Sequence, residues 1–71
     1  MDTLKITLAA ARVNAKMTQA DTAKAMQVSK NTICNWESGK KDPKPAEMYM
    51  LSHLYGIPVE NIFLPSETTK S

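Results

Sequence analysis

Five residues near the middle of this chain, Ser29, Lys30, Asn31, Cys34 and Asn35, have the types and spacing to recognise hydrogen-bonding edges. At about 100° per residue, Lys30, Asn31, Cys34, Asn35 and Ser38 fall on one side of a helix, while Ile33, Trp36 and the partly polar Glu37 fall on the other. The chemistry this offers is recognition. An Asn amide pairs bidentately with adenine, and a Lys ammonium donates to guanine acceptors in the major groove. Cys34 is either a small filler that touches at most a thymine methyl, or a thiol whose oxidation adds bulk and charge to the same side. An ordinary solvated surface helix also shows such a polar side, and that alternative stands on these residues alone. No nucleophile, base and orienting group occur in a recognisable arrangement, so no catalytic residues are assigned and an enzyme is not expected. His53 has no Cys, Asp or second His at ligand spacing, so neither a metal site nor a cofactor is expected.

The polar stripe needs elements to hold it. Two helix-start signals stand eleven residues apart: Thr18, with Asp21 three residues on, and Ser29. Met26, Gln27 and Val28 leave room between them for a sharp bend and little else. Residues 18–26 and 29–38 therefore read as two short helices joined by a tight turn, the second ended by Gly39.

Over about residues 8–64 this arrangement resembles the Cro and phage-repressor helix-turn-helix family, also called the xenobiotic-response-element family. The resemblance rests on Thr18-Gln19 opening the first helix, Ala23 where the two helices cross, and Val28 in the turn. Ile33 and Trp36 stand as core anchors, and Glu37 and Gly39 lie within WESGK. It implies an all-α fold, a compact five-helix lambda repressor-like DNA-binding domain over residues 1–64 with a central helix-turn-helix, followed by a short polar tail, 65–71. It further implies a sequence-specific regulator of transcription of phage Cro or repressor type, bacterial or prophage-borne. Helix 29–38 would read the major groove of double-stranded operator DNA through Ser29, Lys30, Asn31, Cys34 and Asn35. In the resembling family the residue at Gln19 bridges the DNA backbone and the recognition helix; a plain helix-start role is the alternative. Binding as two copies on a near-palindromic site is expected. Three residues depart from the pattern. Thr22 stands where Leu is usual, so the core should be less apolar, and Lys16 and Gln27 replace glycines where a left-handed backbone costs on the order of 1 kcal/mol.

Length and charge fit this reading. A chain of 71 residues is one domain that buries roughly 60% of its unfolded surface, leaving little room for an enclosed active site. The net charge is only +2, but residues 12–44 hold seven Lys or Arg against three Asp or Glu, whereas residues 45–71 hold one against three. The basic part coincides with the expected DNA face. Within it, Lys40, Lys41 and Lys44 of KKDPKP are placed to reach phosphates, with a solvated charge run as the alternative. One cysteine forms no internal disulfide, and no apolar run is long enough for a signal peptide or membrane span, which makes the cytoplasm the expected compartment.

The flanking segments complete the frame. A first helix is expected from near Thr3 or Thr7 to about Lys16, with Leu8, Ala11, Arg12 and Ala15 inward. An inward arginine needs a partner; Glu37 is the natural one, and surface contact with a phosphate is the alternative. A fourth helix over about 45–55 turns Met48, Leu51, Ser52 and Tyr55 inward and stops at Gly56. Met50 and Leu54 point elsewhere, with Tyr49 beside them and Ile57 near, forming a candidate protein interface. It suits a second copy or a partner regulator, the latter making the chain an antirepressor or antitoxin-like module. A short final helix near 58–63 is expected to close the core with Val59, Ile62 and Phe63.

Overall fold

A computed structural model of the chain describes residues 5–64. Thr3, the expected fraying of the first residues and the tail from Pro65 lie outside them. Four α-helices occur among the described residues: α1 (Leu8–Asn14), α2 (Gln19–Met26), α3 (Lys30–Ser38) and α4 (Pro45–Tyr55). Two strands of two residues each, β1 (Ile6–Thr7) and β2 (Ile62–Phe63), pair in parallel with Ile6 opposite Ile62.

Each helix begins where a side chain can satisfy free backbone N–H groups. Thr7 accepts from the Ala10 amide and starts α1. Thr18 and Asp21 cap α2 reciprocally, each side chain accepting from the other's backbone N–H at 2.9 Å. The hydrogen bond from the Thr18 amide holds the Asp21 carboxyl below its usual pKa. Ser29 accepts from the Thr32 amide to start α3. For α4, Pro45 occupies the first turn and Glu47 accepts from the Lys44 N–H at 2.7 Å.

Helix ends are equally local. Lys16 (φ 61°) and Gln27 (φ 60°) are left-handed. The amides that follow them, on Met17 and Val28, reach back to the carbonyls of Arg12 and Ala23 at 3.1 and 3.0 Å. Gly39 and Gly56 terminate α3 and α4 in the same backbone region.

The core gathers Leu8 and Ala11 from α1, Ala23 and Met26 from α2, Ile33 and Trp36 from α3, and Met48, Leu51 and Tyr55 from α4. Thr22 is fully buried among them. Its hydroxyl accepts from the Tyr55 hydroxyl at 3.1 Å, so the polar residue in the apolar core is matched by a polar tip reaching in. Burial holds the Tyr55 phenol above its usual pKa.

The end of the described chain differs from expectation. In place of a fifth helix, residues Val59–Asn61 make a single 3-10 turn and the backbone then extends into β2. Among the described residues the architecture is therefore four α-helices with a small parallel pair instead of all-α with five. Pro58 and β-branched Val59 and Ile62 favour a short turn and extended backbone over a new helix nucleus. The strand period also corrects one core assignment: Ile62 is buried, but the next residue, Phe63, is only partly covered.

Candidate nucleic-acid interface

The α3 helix has two faces with separate work. Inward, Ile33 and Trp36 are 1% and 4% exposed and anchor it to the core. Outward, Lys30, Asn31, Cys34 and Ser38 are exposed, and Asn35 is half-buried at the edge. Lys30, Asn31 and Cys34 thus share one open face, with Asn35 on its margin. Ser29 is exposed too, but its hydroxyl accepts from the Thr32 amide at 3.1 Å and lies 2.9 Å from the Thr32 hydroxyl, so it is committed first to the cap.

A hydrogen-bond network centred on Glu37 fixes how α3 sits. Arg12 Nε donates to Glu37 Oε2 at 2.7 Å, and Arg12 Nη2 to Glu37 Oε1 at 3.4 Å. Gln19 Nε2 donates to Glu37 Oε1 at 3.0 Å, and Arg12 Nη1 to the Met17 carbonyl at 2.9 Å. The Glu37 carboxylate therefore joins α1, the start of α2 and the end of α3. Hydrogen bonding to Glu37 raises the Arg12 pKa further, so the guanidinium stays charged throughout the working range. The Gln19 amide, at the opening of α2, is oriented by this carboxylate.

Beyond Gly39, Lys40, Lys41 and Lys44 are exposed, while Pro43 is buried and pins the loop. The Lys41 amide donates to the Asn35 carbonyl at 3.3 Å, tying the loop to α3. Between them lies a polar groove of about 240 Å³ lined by Thr32, Asn35 and Trp36 with Lys41, Asp42, Lys44 and Glu47. Thr32 escapes a sequence reading because it sits between the two faces; the signal that finds it is its place three residues after the capping Ser29. Asp42 and Glu47 also set two carboxylates beside Lys41 and Lys44, which makes this part of the loop less basic than its lysine count implies.

The expected protein interface on α4 is redistributed. Tyr49 and Met50 are 74% and 49% exposed. Leu54 and Ile57, by contrast, pack partly against the core, so the expected Met50 and Leu54 ridge is exposed mainly at its Tyr49 and Met50 end. Tyr49, Met50, His53 and Leu54 line one shallow, mostly apolar depression of about 340 Å³. Among the described residues, no group of three or more His, Cys, Asp or Glu is placed to hold a metal ion, and no helix is long and apolar enough to cross a membrane.

The model of a family described as helix-turn-helix matches residues 8–62. The chain is 38% identical over 48 residues to an uncharacterized HTH-type transcriptional regulator of Methanocaldococcus jannaschii, covering 68% of this chain and 73% of that protein. It is 33% identical over 57 residues to the cryptic phage CTXphi transcriptional repressor RstR of Vibrio cholerae, covering 80% of this chain and 51% of that protein. The chain thus spans about half the length of RstR. No solved structure matches the chain.

Proposed function

This chain belongs to the helix-turn-helix family of transcriptional regulators, and on that footing we propose that it is a sequence-specific, double-stranded DNA-binding regulator of phage Cro or repressor type. The observation that carries the reading is the division of α3: its inner face is locked by Ile33, Trp36 and the Glu37 network, while Lys30, Asn31, Cys34 and Asn35 are left on or beside its open face. A helix held rigidly with donors and acceptors outward is what base-edge readout needs, because each contact then forms without first ordering the helix. Asn31 and Asn35 pair with base edges, Lys30 donates to them, and Cys34 packs against an apolar base edge. Ser29 contributes at the margin. Gln19, Lys40, Lys41 and Lys44 hold the DNA backbone, supplying affinity without sequence information. Two copies on a near-palindromic operator double the sequence read. Footprinting the purified chain on the DNA around its own gene, repeated at rising salt, tests this. A protected site whose affinity falls steeply with salt is expected; failure to protect any duplex at low salt overturns the reading.

A second reading is favoured by the exposed Tyr49 and Met50 beside His53 and Leu54: the chain holds a partner regulator through α4, as an antirepressor or antitoxin-like module. Tight binding to a protein partner with no duplex recognised would select it.

A further inference from the structure

We propose that the groove between α4 and the 3-10 turn is a binding site for a small organic cation, a primary amine carried on a flat apolar ring. The groove holds about 500 Å³, within the range of roughly 300–1,000 Å³ that suits small molecules. Its apolar lining comes from two elements: Pro45 and Met48 from α4, and Pro58 and Val59 from the start of the turn. Two of these four are prolines and one is β-branched, so little side-chain freedom is lost when a ligand settles on them. Met48 adds a polarizable thioether, which favours an aromatic partner.

The polar members of the lining decide the charge of the ligand. Glu60 is the one charged residue among them, it is exposed, and no hydrogen bond or ion pair among the described residues engages its carboxylate. The Ser52 hydroxyl and the Tyr49 phenol are uncommitted among them as well. An ammonium carries three donors and no acceptor, so it suits the Glu60 carboxylate and the Ser52 oxygen together. Tyr49, 74% exposed, adds the negative face of its ring, which attracts a cation. An anion would meet Glu60 with no cation in the lining to offset it, and a neutral ligand would leave the carboxylate unused. The shallower depression formed by Tyr49, Met50, His53 and Leu54 lacks these features: all four residues come from one helix and none is a carboxylate. The groove is also separate from the proposed DNA face, since Lys44 and Glu47 at the start of α4 line the polar groove against α3, whereas Pro45 and Met48 line this one. Cation binding here therefore requires no DNA.

The test is a titration of the full chain with tryptamine, followed through backbone amide NMR shifts, beside tryptophol and indole-3-propionate, which carry the same ring with a neutral and an anionic end. Saturable shifts centred on α4 and the turn are expected with tryptamine, half-complete below about 1 mM. Tryptophol should bind about fivefold more weakly, the upper range for an exposed ion pair, and the anion more weakly still. Glu60→Gln should bring tryptamine down to the level of tryptophol, and added salt should narrow the gap in the parent. Tyr49→Ala should weaken the amine more than Tyr49→Phe, which keeps the ring face. Ser52→Lys, which fills the groove with a cation, should abolish binding while the melting temperature stays put. Met50→Ala and Val13→Lys should bind as the parent does. Equal affinity for amine and alcohol, parental affinity in Glu60→Gln, or no saturable shift overturns the proposal. So do concentration-dependent shifts of the same amides without ligand that Tyr49→Ala removes, because they would give the groove to a second copy.

Discussion

Arg12 on α1 and Glu37 on α3 meet at 2.7 Å across 25 residues of sequence, their side chains only 15% and 9% exposed. The same carboxylate receives Gln19, so one acidic residue sets the position of α3 relative to both helices before it. Removing either charge strands the other in a poorly hydrated place. The pair is neither fully buried nor open, so Glu37→Gln should cost about 2 kcal/mol, between the surface and buried cases. Arg12→Ala should cost more, because it also leaves the Met17 carbonyl without its donor. Urea denaturation of the three proteins checks this; coincident midpoints would show that the pair adds nothing to stability.

Asn31 and Lys40 should behave differently on DNA. Asn31→Ala is expected to weaken the preferred site by about 1 to 3 kcal/mol and to relax discrimination at the base it reads. Lys40→Ala should weaken all duplexes about equally and lower the salt dependence by roughly one counterion. Competition between specific and random duplex measures both, and retention of full preference by Asn31→Ala would remove Asn31 from the readout set.

Cys34 is exposed among the proposed base-reading residues. Carboxymethylating it adds bulk and a negative charge facing the phosphates, so operator affinity should fall at least tenfold while the melting temperature stays put. Undiminished affinity of protein shown by mass spectrometry to be fully modified would place Cys34 off the DNA.

Tyr55 and Thr22 should prove coupled. Tyr55→Phe leaves the buried Thr22 hydroxyl without its donor and should cost about 1 to 2 kcal/mol, and the double change with Thr22→Val should cost less than the sum of the single ones. The folded phenol titrates above its unfolded value near 10. Its contribution is therefore complete below about pH 10 and is lost as pH rises through the folded value. Stability measured from pH 9 upward should fall less steeply in Tyr55→Phe; identical slopes would count against the shift.

Lys16 and Gln27 are exposed residues held at φ 61° and 60°. Replacing either by Gly relieves left-handed strain and should stabilise the fold by about 0.5 to 1 kcal/mol, raising the melting temperature by roughly 2 to 8 °C. A lower melting temperature in both variants would mean that their side chains hold contacts worth more than the strain.

The local architecture was legible in the sequence because its causes are local. Thr18 with Asp21, Ser29, Pro45, Gly39 and Gly56 act within one helical turn, and the alternation of Ile33 and Trp36 with Lys30, Asn31 and Cys34 assigns the two faces of α3 by periodicity alone. Even the strained turns were expected, because the family resemblance places glycines where Lys16 and Gln27 stand. Tertiary structure decided what depends on partners distant in sequence. Ile62 extends as a strand because Ile6, 56 residues earlier, supplies a backbone to pair with, and that pairing replaces the expected fifth helix. Leu54 and Ile57 lie partly against the core and Tyr49 does not, a distinction that α4 alone, apolar on more than one side, does not contain. The sequence places Gln19 only at the start of α2, and it is the fold that brings Glu37 within 3.0 Å of its amide. Short-range hydrogen bonding and helical period are properties of the chain, whereas burial and ion pairing are properties of the packed whole.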